Sequence, residues 1–417
     1  MHYFDYRNNR MYCEDVSVSD IAQQVGTPFY LYSHATLRHH FLTFQNAFEG
    51  VSHLVCFSAK SNSNLAVLRL FATLGGGLDI VSGGELFRGL KAGIPPDRIV
   101  YSGVGKREDE IAYALESNIL MFNVESFQEL ELINRSAARM KKKAPIALRI
   151  NPDIDPGTHP YISTGLRANK FGLTMEAAVE AYKAANDLSH VEVIGISCHV
   201  GSQVTEVAPF VDAIAHIKDL IATLDTFGVS LTYLDLGGGL GITYDEEFPP
   251  HPSEYGRAIL ETLGHVPFTL ILEPGRVIVG NAGILVTRVL YTKAGDGKDF
   301  VIVDSAMNDL ARPSLYGAYH AIEPVVRREN GTTKADVVGP ICESGDFFAK
   351  DRQIPRVQAG DLLAVMSAGA YGFTMSSNYN SRPRVAEVMV KEDRFYVVRA
   401  RESYEDLIAG ESIPPFL

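Results

Sequence analysis

The chain has 417 residues, 46% of them hydrophobic and 21% charged, with a formal net charge of -12. Such a length and hydrophobic content accommodate two or three domains with ample cores, and the acidic balance argues against nucleic acid or an anionic membrane surface as the main partner. Four widely separated cysteines, Cys13, Cys56, Cys198 and Cys342, show neither metal-ligand spacing nor a disulfide framework, and read as reduced thiols of a cytoplasmic protein.

No basic segment followed by an apolar one opens the chain, so no secretory signal is expected. No apolar run is long enough to span a membrane. Strand-length apolar runs then follow at 53–57, 78–81, 98–101, 119–122, 146–150, 193–198, 233–236 and 268–272. Helical patterns separate them. Asn64 is placed to cap a helix whose apolar face includes Leu65, Leu68 and Phe71, and Ser82 with Glu85 fits a capping box. Gly75-Gly76-Gly77 reads as a helix C-cap and turn. Lys141-Lys142-Lys143, the basic run of the chain, reads as a solvated turn. Repeated strand–helix units imply parallel strands buried on both faces. Eight of them suggest a closed (β/α)8 TIM-like barrel over 26–276.

After about residue 276 the pattern changes. Runs at 284–293 and 300–304 flank Ala294-Gly295-Asp296-Gly297, and runs at 385–390 and 395–398 flank another polar connection. Both read as hairpins. A second, mostly antiparallel β domain of sandwich or barrel-like form is expected over 277–417, joined by residues 1–25.

In a barrel of this class the active site lies at the C-terminal ends of the strands. Those ends carry Lys60 after the first run, Asp79 and Ser82 at the second, Arg149 and Asn151 at the fifth, and His199 after the sixth. Asp235 with Gly237-Gly238-Gly239 follows the seventh, and Glu273-Pro274-Gly275-Arg276 the eighth. The glycine run is no dinucleotide fingerprint, because Ile242 stands where its third glycine belongs. It suits a phosphate held by backbone N–H groups. A lysine able to form a Schiff base, a phosphate loop, a flat-faced histidine and a carboxylate able to keep a pyridine nitrogen protonated converge on pyridoxal 5'-phosphate.

Longer motifs carry a resemblance. They are FSAKSN (57–62), NPDIDPGTHPYISTGLRANKFGL (151–173), HVGSQ (199–203), LDLGGGLGI (234–242), EPGR (273–276), MNDLARPSLYGAYH (307–320), CESGDFFAKDR (342–352) and GAYGFTMSSNYNSRP (369–383). With them the chain resembles the fold-type III pyridoxal-phosphate decarboxylases, and among these the diaminopimelate decarboxylase family. The resemblance implies a catalytic set of Lys60, His199 and Cys342. Lys60 would carry the Schiff base, His199 would stack on the ring, and Cys342 would reprotonate the α-carbon. Around the cofactor would stand Lys60, Asp79, His199, Ser202, Gly238, Gly239, Glu273, Gly275, Arg276 and Tyr371, with Glu273 at the pyridine nitrogen. Arg276, Arg312, Tyr316, Glu343 and Tyr371 would bind substrate. Cys342 and Glu343 would come from a neighbouring subunit, making the active unit a homodimer. One departure is visible: Phe57 and Ser58 replace the family's usual Tyr-Ala, which bears on packing and leaves the lysine in place.

The implied reaction is decarboxylation of meso-2,6-diaminopimelate to L-lysine and carbon dioxide, the last step of lysine biosynthesis. That substrate ends in a second amino-acid group, so its site needs a cation and an anion together. Arg312 with Glu343 supplies both. Carboxynorspermidine is the nearest rival substrate. A racemase of the same fold, or a non-catalytic relative, are the other readings; the chain keeps both the lysine and the cysteine.

Overall fold

The computed structural model of the chain describes residues 2–155, 170–265, 267–295 and 297–417. The middle of the 151–173 motif, and Asp296 of the first expected hairpin, lie outside the described residues. Two compact units emerge, one formed by Arg38–Ile278 and the other by Met1–Leu37 with Val279–Leu417.

Among the described residues of Arg38–Ile278, eight parallel strands form the barrel: β1 (His53–Ser58), β2 (Gly77–Ile80), β3 (Ile99–Tyr101), β4 (Met121–Val124), β5 (Ala144–Asn151), β6 (Val191–Cys198), β7 (Tyr233–Asp235) and β8 (Thr269–Leu272), and the two-residue strand Leu173–Thr174 pairs with the end of β5. Each pairs with the next, and β8 returns to β1 with Leu270 beside His53, so the sheet closes. Every residue of β2, β3 and β4 is buried. That is why these segments read as unbroken apolar runs: a barrel strand faces side chains within and helices without. Cys56, Val100, Met121, Ala147 and Ile271 form one interior cluster. Each larger member contributes about 1.5–3 kcal/mol through burial.

Local signals set the helices between the strands. Asn64 Oδ1 accepts from Ala66 N at 2.9 Å and starts Leu65–Thr73. The buried face of that helix is Val67, Leu68, Leu70 and Phe71, whereas Leu65 is 42% exposed. Leu65 is the first helical residue and points away from the barrel face that Leu68 and Phe71 cover. Ser82 Oγ caps Gly83–Ala92 by accepting from Glu85 N. The reciprocal half of the expected capping box is shifted: Glu85 Oε2 accepts from Val81 N at 2.7 Å, one residue before the cap. The triple glycine after the first helix does terminate it, since Gly76 N donates to Phe71 O at 2.9 Å and Gly75 has φ 81°.

The other unit is mostly antiparallel. Gly283–Ala294 pairs antiparallel with Asp299–Val303, Leu362–Val365 and Phe29–Ser33. Ala386–Lys391 and Arg394–Arg399 form the second hairpin. Residues 4–17 make their own three-stranded sheet of Phe4–Arg7, Arg10–Cys13 and Val16–Ser17. Phe29–Ser33 is buried throughout and lies between Gly283–Ala294 and Ala386–Lys391. The boundary between the units thus falls after Leu37, not at residue 25 as the sequence pattern suggests. An apolar strand followed by the helix His34–Asn46 imitates a barrel unit, and its pairing partners, which the pattern does not reveal, assign it elsewhere.

Candidate active site

The C-terminal ends of the barrel strands gather Lys60, Asp79, His199, Ser202, Gly238, Gly239, Glu273, Gly275 and Arg276. β1 stops at Ser58, and the 3-10 turn Ala59–Ser61 carries Lys60. Its Nζ lies 2.8 Å from Asp79 Oδ2. Asp79 is wholly buried in β2, and Ser58 Oγ also approaches its Oδ2 at 2.8 Å. The lysine side chain is about one-third exposed, so its amine faces an accessible mouth with a buried anion behind it.

After β6, His199 Nδ1 accepts a hydrogen bond from Gly238 N at 3.0 Å. That bond leaves the ring proton on Nε2. Burial first, then the charges of Arg149 and Lys60, hold the imidazole well below its ordinary pKa. Arg149 is itself paired with Glu125 at 2.9 Å. Below about pH 6.5 the unfolded chain takes up a proton at His199 that the folded chain refuses, so this group costs stability as pH falls. In melts of the cofactor-free protein, wild type is expected to lose more melting temperature between about pH 7.5 and about pH 5.5 than His199→Gln loses. Equal losses would mean that His199 titrates normally.

β7 and β8 supply the acidic side of the mouth. Asp235 Oδ1 accepts from Gly237 N at 2.9 Å, and Asp235 Oδ2 accepts from Asn123 Nδ2 at 2.8 Å. Glu273 Oε1 lies 3.2 Å from Ser102 Oγ and 3.3 Å from Asn123 Nδ2. Burial, then the neighbouring charges of Asp235 and Asp79, push the Glu273 carboxyl well up; burial raises Asp235 as well. Like charges so close in a dry site favour one shared proton. Next to them Arg276 is buried, donating from Nη1 to Tyr244 Oη at 2.7 Å and from Nη2 to Ser202 Oγ at 2.9 Å.

The glycines here are steric requirements. A Cβ on Gly238 would run into the Glu273 carbonyl oxygen, one on Gly239 would lie 2.5 Å from Gly201 O, and one on Gly275 would lie 3.0 Å from Ser61 Oγ. Gly239 also has φ 117°.

The remaining predicted residues belong to the other unit. Arg312 opens the short helix Arg312–Tyr316, is buried, and has Nη1 2.9 Å from His320 Nε2. His320 Nδ1 lies 2.8 Å from Met366 O, which fixes the ring with Nε2 as acceptor. Tyr316 is half-buried. Cys342 and Glu343 are exposed, and Cys342 N donates to Asn380 Oδ1 at 2.8 Å. Of the four thiols Cys342 alone is exposed; burial pushes Cys198 up to about 12. Tyr371 takes a positive φ of 54°. Among the described residues, no group of three His, Cys, Asp or Glu is arranged to hold a metal ion.

Residues 34–280 match the family model for the pyridoxal-binding domain of pyridoxal-dependent decarboxylases. Over 417 residues, covering the whole of both chains, the sequence is 52% identical to diaminopimelate decarboxylase of Vibrio cholerae. The chain belongs to the diaminopimelate decarboxylase family of pyridoxal-dependent enzymes. Solved structures agree. Helicobacter pylori diaminopimelate decarboxylase complexed with L-lysine superimposes with a TM-score of 0.91 at 45% identity, covering 94% of this chain and 98% of that one. The enzyme from m. jannaschii in co-complex with L-lysine gives a TM-score of 0.95 at 38% identity, covering 99% and 98%.

The family's cofactor is pyridoxal phosphate, and the barrel mouth fits it. Lys60 offers an amine at an accessible rim, Glu273 a carboxyl, and the glycine turns a surface that side chains would fill. Asp79 Oδ1 and Asn123 Oδ1 are buried acceptors with no hydrogen-bond partner among the described residues. Ser102, Asn123 and Tyr244 escaped the sequence reading. Ser102 follows β3 and Asn123 lies near the end of β4, so the strand-end rule, extended to those two strands, would have found them. Tyr244 sits in an irregular loop with no periodic signal.

Proposed function

We propose that the chain decarboxylates meso-2,6-diaminopimelate to L-lysine and carbon dioxide, using pyridoxal phosphate. The observation that carries this is the full-length 52% identity to the Vibrio cholerae enzyme. The L-lysine bound in two solved relatives supports the product. When bound, pyridoxal phosphate supplies an electron sink for the carbanion that forms as carbon dioxide departs.

The chain's own residues do the rest. Lys60 would hold the cofactor through Nζ, which Asp79 positions at 2.8 Å. Glu273 would meet the ring nitrogen, His199 would cover the ring face as a neutral imidazole, and Gly238, Gly239, Gly275, Ser202, Arg276 and Tyr371 would hold the phosphate. Arg276 also orients the reacting carboxylate. Arg312, with Nη1 2.9 Å from His320 Nε2, grips the distal carboxylate. Glu343 takes the distal ammonium, Tyr316 lines the same end, and Cys342 Sγ delivers a proton to the α-carbon. The exposure of Cys342 and Glu343 supports their service to a second copy of the chain, which makes the working unit a homodimer. The four free cysteines, three of them buried, support a cytoplasmic setting. Among the described residues no helix is long and apolar enough to cross a membrane.

The test is a substrate panel. Purified protein with pyridoxal phosphate is expected to release carbon dioxide from meso-diaminopimelate and yield lysine, and to turn over carboxynorspermidine, ornithine and arginine at least about 100-fold less efficiently, since their tails offer Arg312 no carboxylate. Equal turnover of ornithine would overturn the substrate assignment.

A further inference from the structure

Asp79, Asp235 and Glu273 are all buried at the mouth of one barrel. Lys60 lies against Asp79, while Asp235 and Glu273 are served by neutral donors. The central donor is a single atom. Asn123 Nδ2 lies 2.8 Å from Asp235 Oδ2, 3.0 Å from Ser102 Oγ and 3.3 Å from Glu273 Oε1. An amide nitrogen has two hydrogens. The arrangement that uses every donor hydrogen sends one to Asp235 and one to Ser102, whose own hydroxyl hydrogen then goes to Glu273 at 3.2 Å. The opposite amide orientation would set Asn123 Oδ1 against two carboxyl groups, so the network fixes which way the side chain faces.

We infer that Asn123 is a positioning residue for Glu273, holding Asp235 directly and Glu273 through Ser102 so that the Glu273 carboxyl is presented to the cofactor ring in one orientation. This rests on the reading of the chain as a pyridoxal-phosphate decarboxylase. Both carboxyl groups are buried, so neither finds a replacement donor in water when the amide is removed. The two carboxyls already share a hydrogen bond, so relief comes from rotation of Glu273 away or from its closer approach to Asp235. Either one withdraws Glu273 from the ring nitrogen. The diaminopimelate tail is untouched, because Arg312 lies in the other unit.

The experiment compares wild type, Asn123→Ala and Ser102→Ala as full-length proteins. Asn123→Ala is expected to raise the dissociation constant for pyridoxal phosphate about tenfold and to lower kcat by at least about tenfold. KM for diaminopimelate should stay within about twofold, and the visible absorption maximum of the bound cofactor should shift. Ser102→Ala, which removes a single atom and leaves Asn123 on Asp235, is expected to move the same readouts in the same direction by about threefold. It carries the test if Asn123→Ala does not fold. Wild-type cofactor affinity and spectrum in a folded variant overturn the inference, whatever the melting temperature does, because a merely structural asparagine would change stability alone. A wild-type protein that leaves diaminopimelate intact overturns the functional reading instead.

Discussion

Lys60→Ala protein, incubated with pyridoxal phosphate and then borohydride, is expected to carry no covalent cofactor label and to release carbon dioxide from diaminopimelate at least about 10³-fold more slowly than wild type. The reason lies in the supply of amines at the mouth. Lys60 Nζ is partly exposed and lies 2.8 Å from Asp79 Oδ2. Lys106, which is buried near these strand ends, spends its three donors on Gly103 O at 2.9 Å, Asn123 O at 2.7 Å and Glu129 Oε1 at 2.6 Å, and cannot take over. Lys60→Arg separates chemistry from charge. It retains a cation for Asp79 while removing the nucleophile, because guanidinium stays protonated. Both variants should therefore lose activity alike. Peptide mass spectrometry of the reduced protein reads the outcome: a full label at another lysine would remove Lys60 from its role.

The barrel was legible because its strands are short and buried on both faces, which turns each into an apolar run. Residue 53 to the end of β8 could be parsed this way, with ends wrong by one or two residues where the backbone decides. Phe29–Ser33 was not legible. Its five buried residues carry the same signal as a barrel strand, and only the pairing with Gly283–Ala294 and Ala386–Lys391 assigns it. At the site, charged and glycine residues after strands stood out by their incongruity. Asn123 and Ser102 did not, because a small neutral side chain near the end of a strand is unremarkable until its neighbours are known to be carboxyl groups. The exposure of Cys342 against the burial of Cys13, Cys56 and Cys198 is likewise a tertiary fact. Four cysteines look alike in the sequence.

Gly238→Ala is the smallest change expected to do the most damage. The added methyl would run into the carbonyl oxygen of Glu273, a backbone atom that no rotamer can move. That carbonyl also lies 2.9 Å from Ser58 Oγ, Glu273 N donates to Gly237 O at 2.7 Å, and Gly238 N donates to His199 Nδ1 at 3.0 Å. Room for the methyl therefore has to come from parting the exits of β7 and β8, which breaks one or more of these bonds. Overpacking by a methyl costs about 1–3 kcal/mol and each lost buried hydrogen bond about 1 kcal/mol more. A loss of about 3 kcal/mol lowers the melting temperature of a barrel this size by roughly 6–12 °C. The same displacement carries Glu273 and His199 off their positions, so cofactor affinity should fall at least about 100-fold. Gly228→Ala serves as the control. Gly228 has φ 75° with nothing within 4 Å of its would-be Cβ, so only backbone strain of about 1–2 kcal/mol applies there. Its cofactor affinity should match wild type. Melts of the cofactor-free proteins and cofactor titrations read both effects. A Gly238→Ala protein with wild-type affinity would show that the turn after β7 has slack, and that its glycines are dispensable for seating the cofactor.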